Sequence, residues 1–192
     1  LLVYSDATLI NIHGQQISSS YFASARISPR WAEEFRHSLV MSGIPGCTMM
    51  GNRALAKASV PFPADIIMHD WWLLLVAGGL GGVRAVNAPL VRYRQHHNNS
   101  LGADVWNAAA ILKKLWCGPE RAARNVQRTC IQAEQFLRCY GKSLSEQNYK
   151  LCEAWASMQG ADRWKRFGTI RKLGFEKPGK FRNILFYLCG LY

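Results

Sequence analysis

Acidic residues are scarce in this sequence, where 12 Asp and Glu stand against 24 Lys and Arg among 192 residues. The resulting net charge of +12 disfavours a cationic partner and favours an anionic one, either nucleic acid or an anionic membrane surface. The excess is uneven, because residues 1–103 carry +3 and residues 104–192 carry +9.

Paired cysteine motifs are also lacking. The six cysteines, at positions 47, 117, 130, 139, 152 and 189, form no Cys-x-x-Cys pair, which disfavours a zinc ribbon or a redox motif. We interpret them as buried thiols in a reducing compartment. No signal peptide precedes "LLVYSDATLI", which is typical of a buried strand. Because the sequence opens with leucine inside a strand, we expect an N-terminal part to be missing.

The first half of the sequence mixes predicted strands with predicted helices, as α/β domains do. A strand is predicted at residues 1–10, and a helix is predicted to begin at Ser28-Pro29 and run through "PRWAEEFRHSLVM". A glycine turn and short strand in "SGIPGCTMM", a helix in "NRALAKAS" and a helix in "HDWWLLLVAGG" follow, the last with a left-handed glycine cap. "VRAVNAPLVRYRQH" has strand composition, and Pro89 predicts a break or an edge in it.

The second half is predicted to be helical. We expect a helical extension over residues 104–160, made of "DVWNAAAILKKLW", a helix that starts near Pro119 and stops at Gly141, and a helix that restarts at Ser143 or Ser145. Residues 161–192 form a third segment, with a net charge of +6 and interleaved aromatic side chains. Its longest apolar run, "ILFYLCGLY", is far shorter than the roughly 20 residues that span a bilayer. The segment is either a membrane-interfacial tail or an ordinary surface helix.

The stretch "IIMHDWWLLLVAGG" places Asp70 at the start of an apolar helix. An aspartate there could simply favour the helix N-terminus. Because the following residues are apolar, Asp70 is also expected at the rim of a core, where desolvation raises the pKa of a carboxyl group and makes it a better base. The second interpretation makes Asp70 a general base.

Two further segments carry candidate ligand-binding residues. In "SGIPGCTMM", Gly46 either lets a ligand approach the backbone or belongs to a plain turn. In "YRQHHNNSLGA", at the end of a predicted strand, Arg94 and the preceding Arg92 could pair with phosphate. His96 or His97 could bind a metal or simply form surface hydrogen bonds.

The order of these elements is more specific than any one of them. A glycine turn with Cys-Thr-Met-Met precedes Asn-Arg-Ala-Leu, Pro-x-Pro, His-Asp-Trp-Trp and Tyr-Arg-Gln-His-x-Asn-Asn. Over residues 1–103 this set resembles the family 2 glycosyltransferases, in particular the rhamnosyltransferase-like enzymes of bacterial surface polysaccharides. The resemblance implies the C-terminal part of a GT-A, Rossmann-like α/β domain, followed by an α-helical extension. It also implies an inverting transfer of a sugar such as rhamnose from a nucleotide-sugar donor.

The resemblance implies roles for individual residues. Asp70 takes the position of the acid that acts as the base towards the acceptor, and His69 replaces the acid that usually precedes it. Gly46 falls in the family's glycine loop beside the sugar pocket.

The remaining implied contacts lie on either side of these residues. Trp71 and Trp72 resemble the apolar wall behind the base. Arg94 and Gln95 belong to the implied donor-binding group, and His96 aligns with a late histidine that helps to hold the divalent metal or the diphosphate.

The sequence departs from the family's pattern in one respect. It contains no Asp-x-Asp motif, which the family uses to hold a divalent cation, Mg²⁺ or Mn²⁺, and Asp6 is interpreted as a structural aspartate. We therefore expect these 192 residues alone neither to bind a nucleotide sugar tightly nor to turn over. The implied acceptor is a lipid-linked glycan at the inner face of the cytoplasmic membrane, reached by a peripheral, cytoplasmic protein.

Two other functions remain open on the sequence. The His-Asp pair could belong to a metal phosphohydrolase, although His13 and His37 add no supporting pattern. The chain could instead be a non-catalytic basic module that binds membrane or RNA. Nucleic acid is the less expected partner, because no RNA-binding signature is present.

Overall fold

A computed structural model describes residues 1–96 and 119–189 of the chain. We call residues 1–96 the sheet region and residues 119–189 the helical region. The sheet region is mixed α/β with an open sheet, which confirms the α/β class expected from the sequence. The predicted helix "DVWNAAAILKKLW" lies outside the described residues.

The sheet is built around β1 (Leu2–Ile10). Along one edge β1 pairs in parallel with β4 (Val83–Arg94), and along the other it pairs antiparallel with β2 (Gln16–Ser18) and β3 (Met49–Gly51), one at each end. The register with β4 shifts on both sides of Asp6, which lies opposite Pro89. Proline has no N–H to donate to the ladder, which agrees with the shifted register, but β4 runs through Pro89 without the predicted break.

Short helices cover the sheet. They are α1 (Tyr21–Ala25), α2 (Phe35–Val40), α3 (Arg53–Ser59) and α4 (His69–Leu80), with 3-10 turns at Trp31–Glu33 and Gly46–Thr48. The predicted helix over "PRWAEEFRHSLVM" is interrupted, because Glu34 is extended. Just before the break, the Glu33 carboxylate accepts a 3.0 Å hydrogen bond from the N–H of Ala85 in β4. No local sequence pattern predicts this contact.

The apolar helix α4 forms as predicted, but its end differs from the expected left-handed cap. Gly81 follows the helix with φ of −147°, so it is not in the left-handed region. A glycine is needed at position 79 for another reason. A Cβ there would lie 2.8 Å from Cζ of Phe136, so Gly79 allows the helical region to approach α4 closely.

The helical region contains α5 (Pro119–Tyr140), α6 (Glu146–Ala156), α7 (Arg163–Leu173) and α8 (Lys180–Cys189). The predicted start at Pro119 and stop before Gly141 are confirmed. Ser145 is the N-cap of α6, and its side chain accepts a hydrogen bond from the N–H of Asn148. Serine was expected there because its oxygen satisfies an unpaired N–H of the first turn.

One cluster of buried side chains runs through both regions. Phe136 of α5 is fully buried, with its ring 5.7 Å from the rings of Phe35 and Trp72. In the third segment, Phe175 and Phe186 are buried, with ring centroids 4.8 and 6.0 Å from that of Trp155. Across residues 1–96 and 119–189, no helix is long and apolar enough to cross a membrane.

Of the cysteines whose side chains are described, all are free thiols, and they divide into two kinds. Cys130 and Cys152 are buried, and burial raises the pKa of each thiol to about 12. Cys47 and Cys139 are exposed. The expectation of buried thiols therefore holds for the first pair and is wrong for the second.

Candidate functional site

Asp70 lies in the first turn of α4, at the end of the helix where backbone N–H groups have no partner within the helix. Its side chain is buried, with 6% of its surface exposed, and one oxygen, Oδ1, accepts a 2.7 Å hydrogen bond from the N–H of Trp71. The helix dipole favours a negative charge at this position. A carboxylate is therefore held in a fixed orientation at the edge of the core.

Gly46 packs directly against this carboxylate. A Cβ at position 46 would lie 2.6 Å from Oδ2 of Asp70 and 2.9 Å from its Cβ, closer than real side chains approach. The absence of a side chain thus makes room for the aspartate. The structure brings together two residues that the sequence placed in one site, although 24 positions separate them.

Cys47 follows Gly46 and lies beside the same carboxylate. Burial and, to a smaller extent, the negative charge of Asp70 raise the pKa of the Cys47 thiol. Because the Cys47 side chain is exposed, the turn that carries it opens towards solvent. The Asp70 carboxylate therefore lies close to the surface, although it is itself covered.

The neighbours of Asp70 on α4 point in different directions. His69 is exposed. Trp71 is buried and its Nε1 donates a 2.6 Å hydrogen bond to the carbonyl oxygen of Ser38. Trp72 has no exposed surface and contacts the rings of α5. Both tryptophans are buried, and Trp72 is a core residue that presents no surface to a ligand.

A residue that the sequence analysis missed holds the segment before α4. Gln132 of α5 is 1% exposed, and its Oε1 accepts a 2.9 Å hydrogen bond from the N–H of Ile67. This bond fixes the backbone three residues ahead of Asp70. A glutamine in the middle of a basic amphipathic helix gives no local sign of this role, because its partner lies 65 positions away.

Arg94, Gln95 and His96 lie at the end of β4, where Arg94 is opposite Ile10 of β1. By contrast, the strand that follows the Gly46 turn begins with Met49 opposite Tyr4. Six residues of strand span about 20 Å, so the two groups are separated along the strand direction.

Arg94 and Gln95 each donate a hydrogen bond to the end of β1 or to the turn that follows it. Nη1 of Arg94 donates to the carbonyl oxygen of Ile12 at 2.6 Å, and the N–H of Gln95 donates to that of Ile10 at 2.7 Å. His96 is exposed. The Arg94 guanidinium therefore has a structural role in closing the turn after β1.

Potential metal ligands do not cluster at the Asp70 site or among the described residues at the end of β4. In the part of the chain that the structure describes, no group of three or more His, Cys, Asp or Glu side chains is placed to hold a metal ion. His96 stands alone at the end of β4. The described residues thus do not form a metal site by themselves.

Asp6 has the structural role expected of it. Its Oδ1 accepts hydrogen bonds from the N–H groups of Ala7 and Phe22, and its Oδ2 accepts one from the Ser20 hydroxyl. Ser20 is also the N-cap of α1. Asp6 therefore fixes the start of α1 on the central strand, and its oxygens are occupied.

The fold and the site define a mixed α/β protein with a buried carboxylate at a helix N-terminus. Comparisons with protein-family models, with curated proteins and with solved structures each found no match to this chain.

Proposed function

We propose that the chain is part of an inverting glycosyltransferase of the GT-A type, related to family 2, in which Asp70 is the base. The observation that carries the proposal is the packing of Gly46 against Asp70, with 2.6 Å between a Cβ at position 46 and Oδ2. A carboxylate that is held in place and backed by apolar side chains suits proton removal from a hydroxyl group. The order of motifs along residues 1–103 supports the same class.

The chemistry needs only one carboxylate on the protein. The acceptor hydroxyl oxygen attacks the anomeric carbon of the donor, its proton passes to Oδ2 of Asp70, and the bond from the anomeric carbon to the diphosphate oxygen breaks. Attack from the opposite face inverts the anomeric configuration. The hydrogen bond from the N–H of Trp71 to Oδ1 leaves Oδ2 as the oxygen that takes the proton.

Fewer residues are assigned to binding of the nucleotide-sugar donor. We propose that the nucleotide diphosphate and a divalent cation are bound by an Asp-x-Asp segment that this sequence does not contain. A cation there would neutralise the departing diphosphate. The proposed acceptor is a growing surface glycan, linked to lipid at the cytoplasmic face of the membrane.

The test is sugar transfer by a chain that also carries a nucleotide-binding segment, assayed with radiolabelled nucleotide sugars and an extract of lipid-linked glycans as acceptor. Asp70→Asn is expected to lower transfer at least about a hundredfold, because a base contributes a factor of that order. Circular dichroism and unfolding by urea show whether the variant folds.

The matched control is Asp65→Asn, because Asp65 is exposed and lies five positions before the base. It removes the same charge and is expected to leave transfer unchanged. Near-normal turnover in a folded Asp70→Asn protein would refute the role of Asp70. Equal loss in both variants would point to a general effect of charge and would also count against it.

A further inference from the structure

The outer face of the last two helices is apolar and has no covering element among the described residues. Phe167, Arg171, Ile184 and Tyr187 line an open groove of about 400 Å³ between α7 and α8. Trp164 lies one turn before Phe167 on the same helix and is 67% exposed, while Ile184 is 55% exposed. We call Trp164, Phe167, Arg171, Ile184 and Tyr187 the outer face.

Helical spacing explains why these side chains meet on one side. Trp164, Phe167 and Arg171 follow each other at intervals of three and four residues, and Ile184 and Tyr187 are three apart. The rings of Phe167 and Tyr187 meet edge to face at 6.0 Å and join the two helices. Position 168 leaves open space beside the groove, since a Cβ there would meet nothing within 4 Å.

Tyr187 of the outer face also packs against the core, whereas Trp164 and Ile184 are largely exposed. The opposite sides of the same helices carry Ile170 and Phe186, which are 2% exposed, and Phe175 after α7 is fully buried. The ring centroids of Phe175 and Phe186 lie within 6.0 Å of that of Trp155. Inner side chains thus attach the helices to the core, and the apolar outer side chains remain in contact with water.

The segment that carries this apolar surface is strongly basic. Residues 161–189 hold eight Lys and Arg against Asp162 and Glu176, a net charge of +6. Asp162 is used as the N-cap of α7, where it accepts hydrogen bonds from the N–H groups of Trp164 and Lys165. The guanidinium of Arg163 lies 5.6 Å from the centre of the Trp164 ring, so the exposed indole is paired with a cation.

We propose that the outer face docks on an anionic lipid bilayer. Trp164 and Ile184 enter the boundary between headgroups and acyl chains, and Arg171 at the rim of the groove contacts a lipid phosphate. Cations near an anionic leaflet are attracted to it, and protruding apolar side chains gain by leaving water. This inference rests on α7 and α8 alone and stands whether or not the chain transfers sugar.

Two other occupants fit the same observations less well. A second copy of the chain would bring two surfaces of +6 together, which repel each other. An RNA strand would match the charge and could stack on the exposed Trp164 ring, but the exposed aliphatic side chain of Ile184 gains nothing from contact with RNA.

The experiment is co-sedimentation of the whole chain with vesicles. One set contains phosphatidylcholine only, and the other contains phosphatidylcholine and phosphatidylglycerol in equal parts. We expect the chain to sediment with the anionic vesicles only, and high salt is expected to weaken the binding because it screens the charges. Trp164→Ser and Ile184→Ser are each expected to weaken partition about tenfold, and Arg171→Gln about fivefold.

Matched variants away from the outer face distinguish specific docking from non-specific effects of charge or hydrophobicity. Leu90→Ser removes an apolar side chain that is 68% exposed on β4, and Lys142→Gln removes an exposed cation before α6. Both are expected to keep wild-type partition. All five variants should show the same circular dichroism as the wild-type chain, because every changed side chain is exposed.

Several results would overturn the proposal. Equal losses in Leu90→Ser and Trp164→Ser would show non-specific adsorption. Concentration-dependent dimerisation that disappears in Ile184→Ser would assign the outer face to a second copy. Stronger binding to single-stranded RNA than to anionic vesicles, with the same dependence on Trp164, would assign it to RNA.

Discussion

The sheet region and the helical region are stabilised in different ways. In the sheet region, a central strand is paired on both edges, and buried polar groups such as Asp6 fix the covering helices to it. In the helical region, rings around Trp155 hold the helices together, and the exterior is strongly basic: residues 119–189 carry +8 against +3 for residues 1–96. The candidate base, Asp70, therefore belongs to the region in which buried polar groups and hydrogen bonds fix the structure.

The two regions nevertheless depend on each other. Beyond the Gln132 contact, Tyr140 donates a hydrogen bond to the carbonyl oxygen of Ala58 near the end of α3, and Asn148 donates one to that of Gly79 near the end of α4. These carbonyl groups lie in last helical turns, where no intrahelical partner is available. The helical region thus caps and packs the helices that carry the candidate site, and it is more than an appended tail.

The largest effect is expected from removing the ring that joins the regions. Phe136→Ala should lower the free energy of unfolding by about 3–5 kcal/mol, because a fully buried aromatic side chain is replaced by a cavity. Urea unfolding followed by circular dichroism measures the loss. Trp164→Ala, which truncates a ring that is 67% exposed, should change stability by less than about 0.5 kcal/mol. Similar losses in the two variants would contradict the described core.

A smaller loss is expected from filling the space beside the base. Gly46→Ala places a Cβ 2.6 Å from Oδ2 of Asp70 and should cost about 1–3 kcal/mol of stability, because the carboxylate or the turn must move. The same substitution at Gly168 in α7 meets nothing within 4 Å and should stabilise the chain by about 0.5–1 kcal/mol, since alanine favours a helix. Thermal unfolding of both variants gives the comparison, and destabilisation of the same size at both positions would remove the steric explanation.

Gln132 tests whether the helical region positions the segment before the base. Gln132→Met should cost about 1–3 kcal/mol, because the N–H of Ile67 loses its acceptor in a buried place. Faster hydrogen exchange of that amide is the specific readout. Gln127→Met, at an exposed position of the same helix, should change neither stability nor exchange. Unchanged exchange at Ile67 in Gln132→Met would show that the bond does not hold the segment.

Glu33 gives a pH dependence within the sheet region. The hydrogen bond from the N–H of Ala85, together with Arg30 at 3.1 Å, lowers the pKa of the Glu33 carboxyl group. Because this pKa is lowered on folding, ionised Glu33 contributes its full stabilisation above the pKa of the unfolded chain, about 4.3. That stabilisation is lost as the pH falls through the pKa of the folded protein. Glu33→Gln should therefore cost about 1–2 kcal/mol at neutral pH and progressively less in acid. A difference between the two proteins that grows on acidification would reverse the predicted sign.

The smallest expected effect concerns the thiol beside the base. Because the Asp70 charge contributes to the raised pKa of Cys47, Asp70→Asn should lower that pKa and speed alkylation of Cys47 a few-fold at constant pH. Peptide mapping by mass spectrometry follows the rate, with the exposed Cys139 as internal control. Equal changes at both cysteines would indicate loosening of the fold instead of a local charge effect.

Local patterns predicted most elements correctly, where short-range chemistry decides the outcome. Ser145 caps its helix with its own side chain, Pro119 begins a helix, and Pro89 disturbs the register of a strand. The split of the helix at Glu34 was not predicted, and the Glu33 carboxylate beside it accepts a hydrogen bond from the N–H of Ala85, 52 positions away, which no local pattern indicates.

For the site, the sequence by itself determined which residues can do chemistry: a carboxylate at Asp70, a glycine at position 46, and a basic, aromatic C-terminal segment. Only the tertiary structure decided that Gly46 and Asp70 touch, that Trp72 is buried under α5, and that α7 and α8 turn one apolar face inwards and another outwards. The physical reason is that residue type and spacing act over one or two helical turns, whereas close packing is settled by partners many residues away.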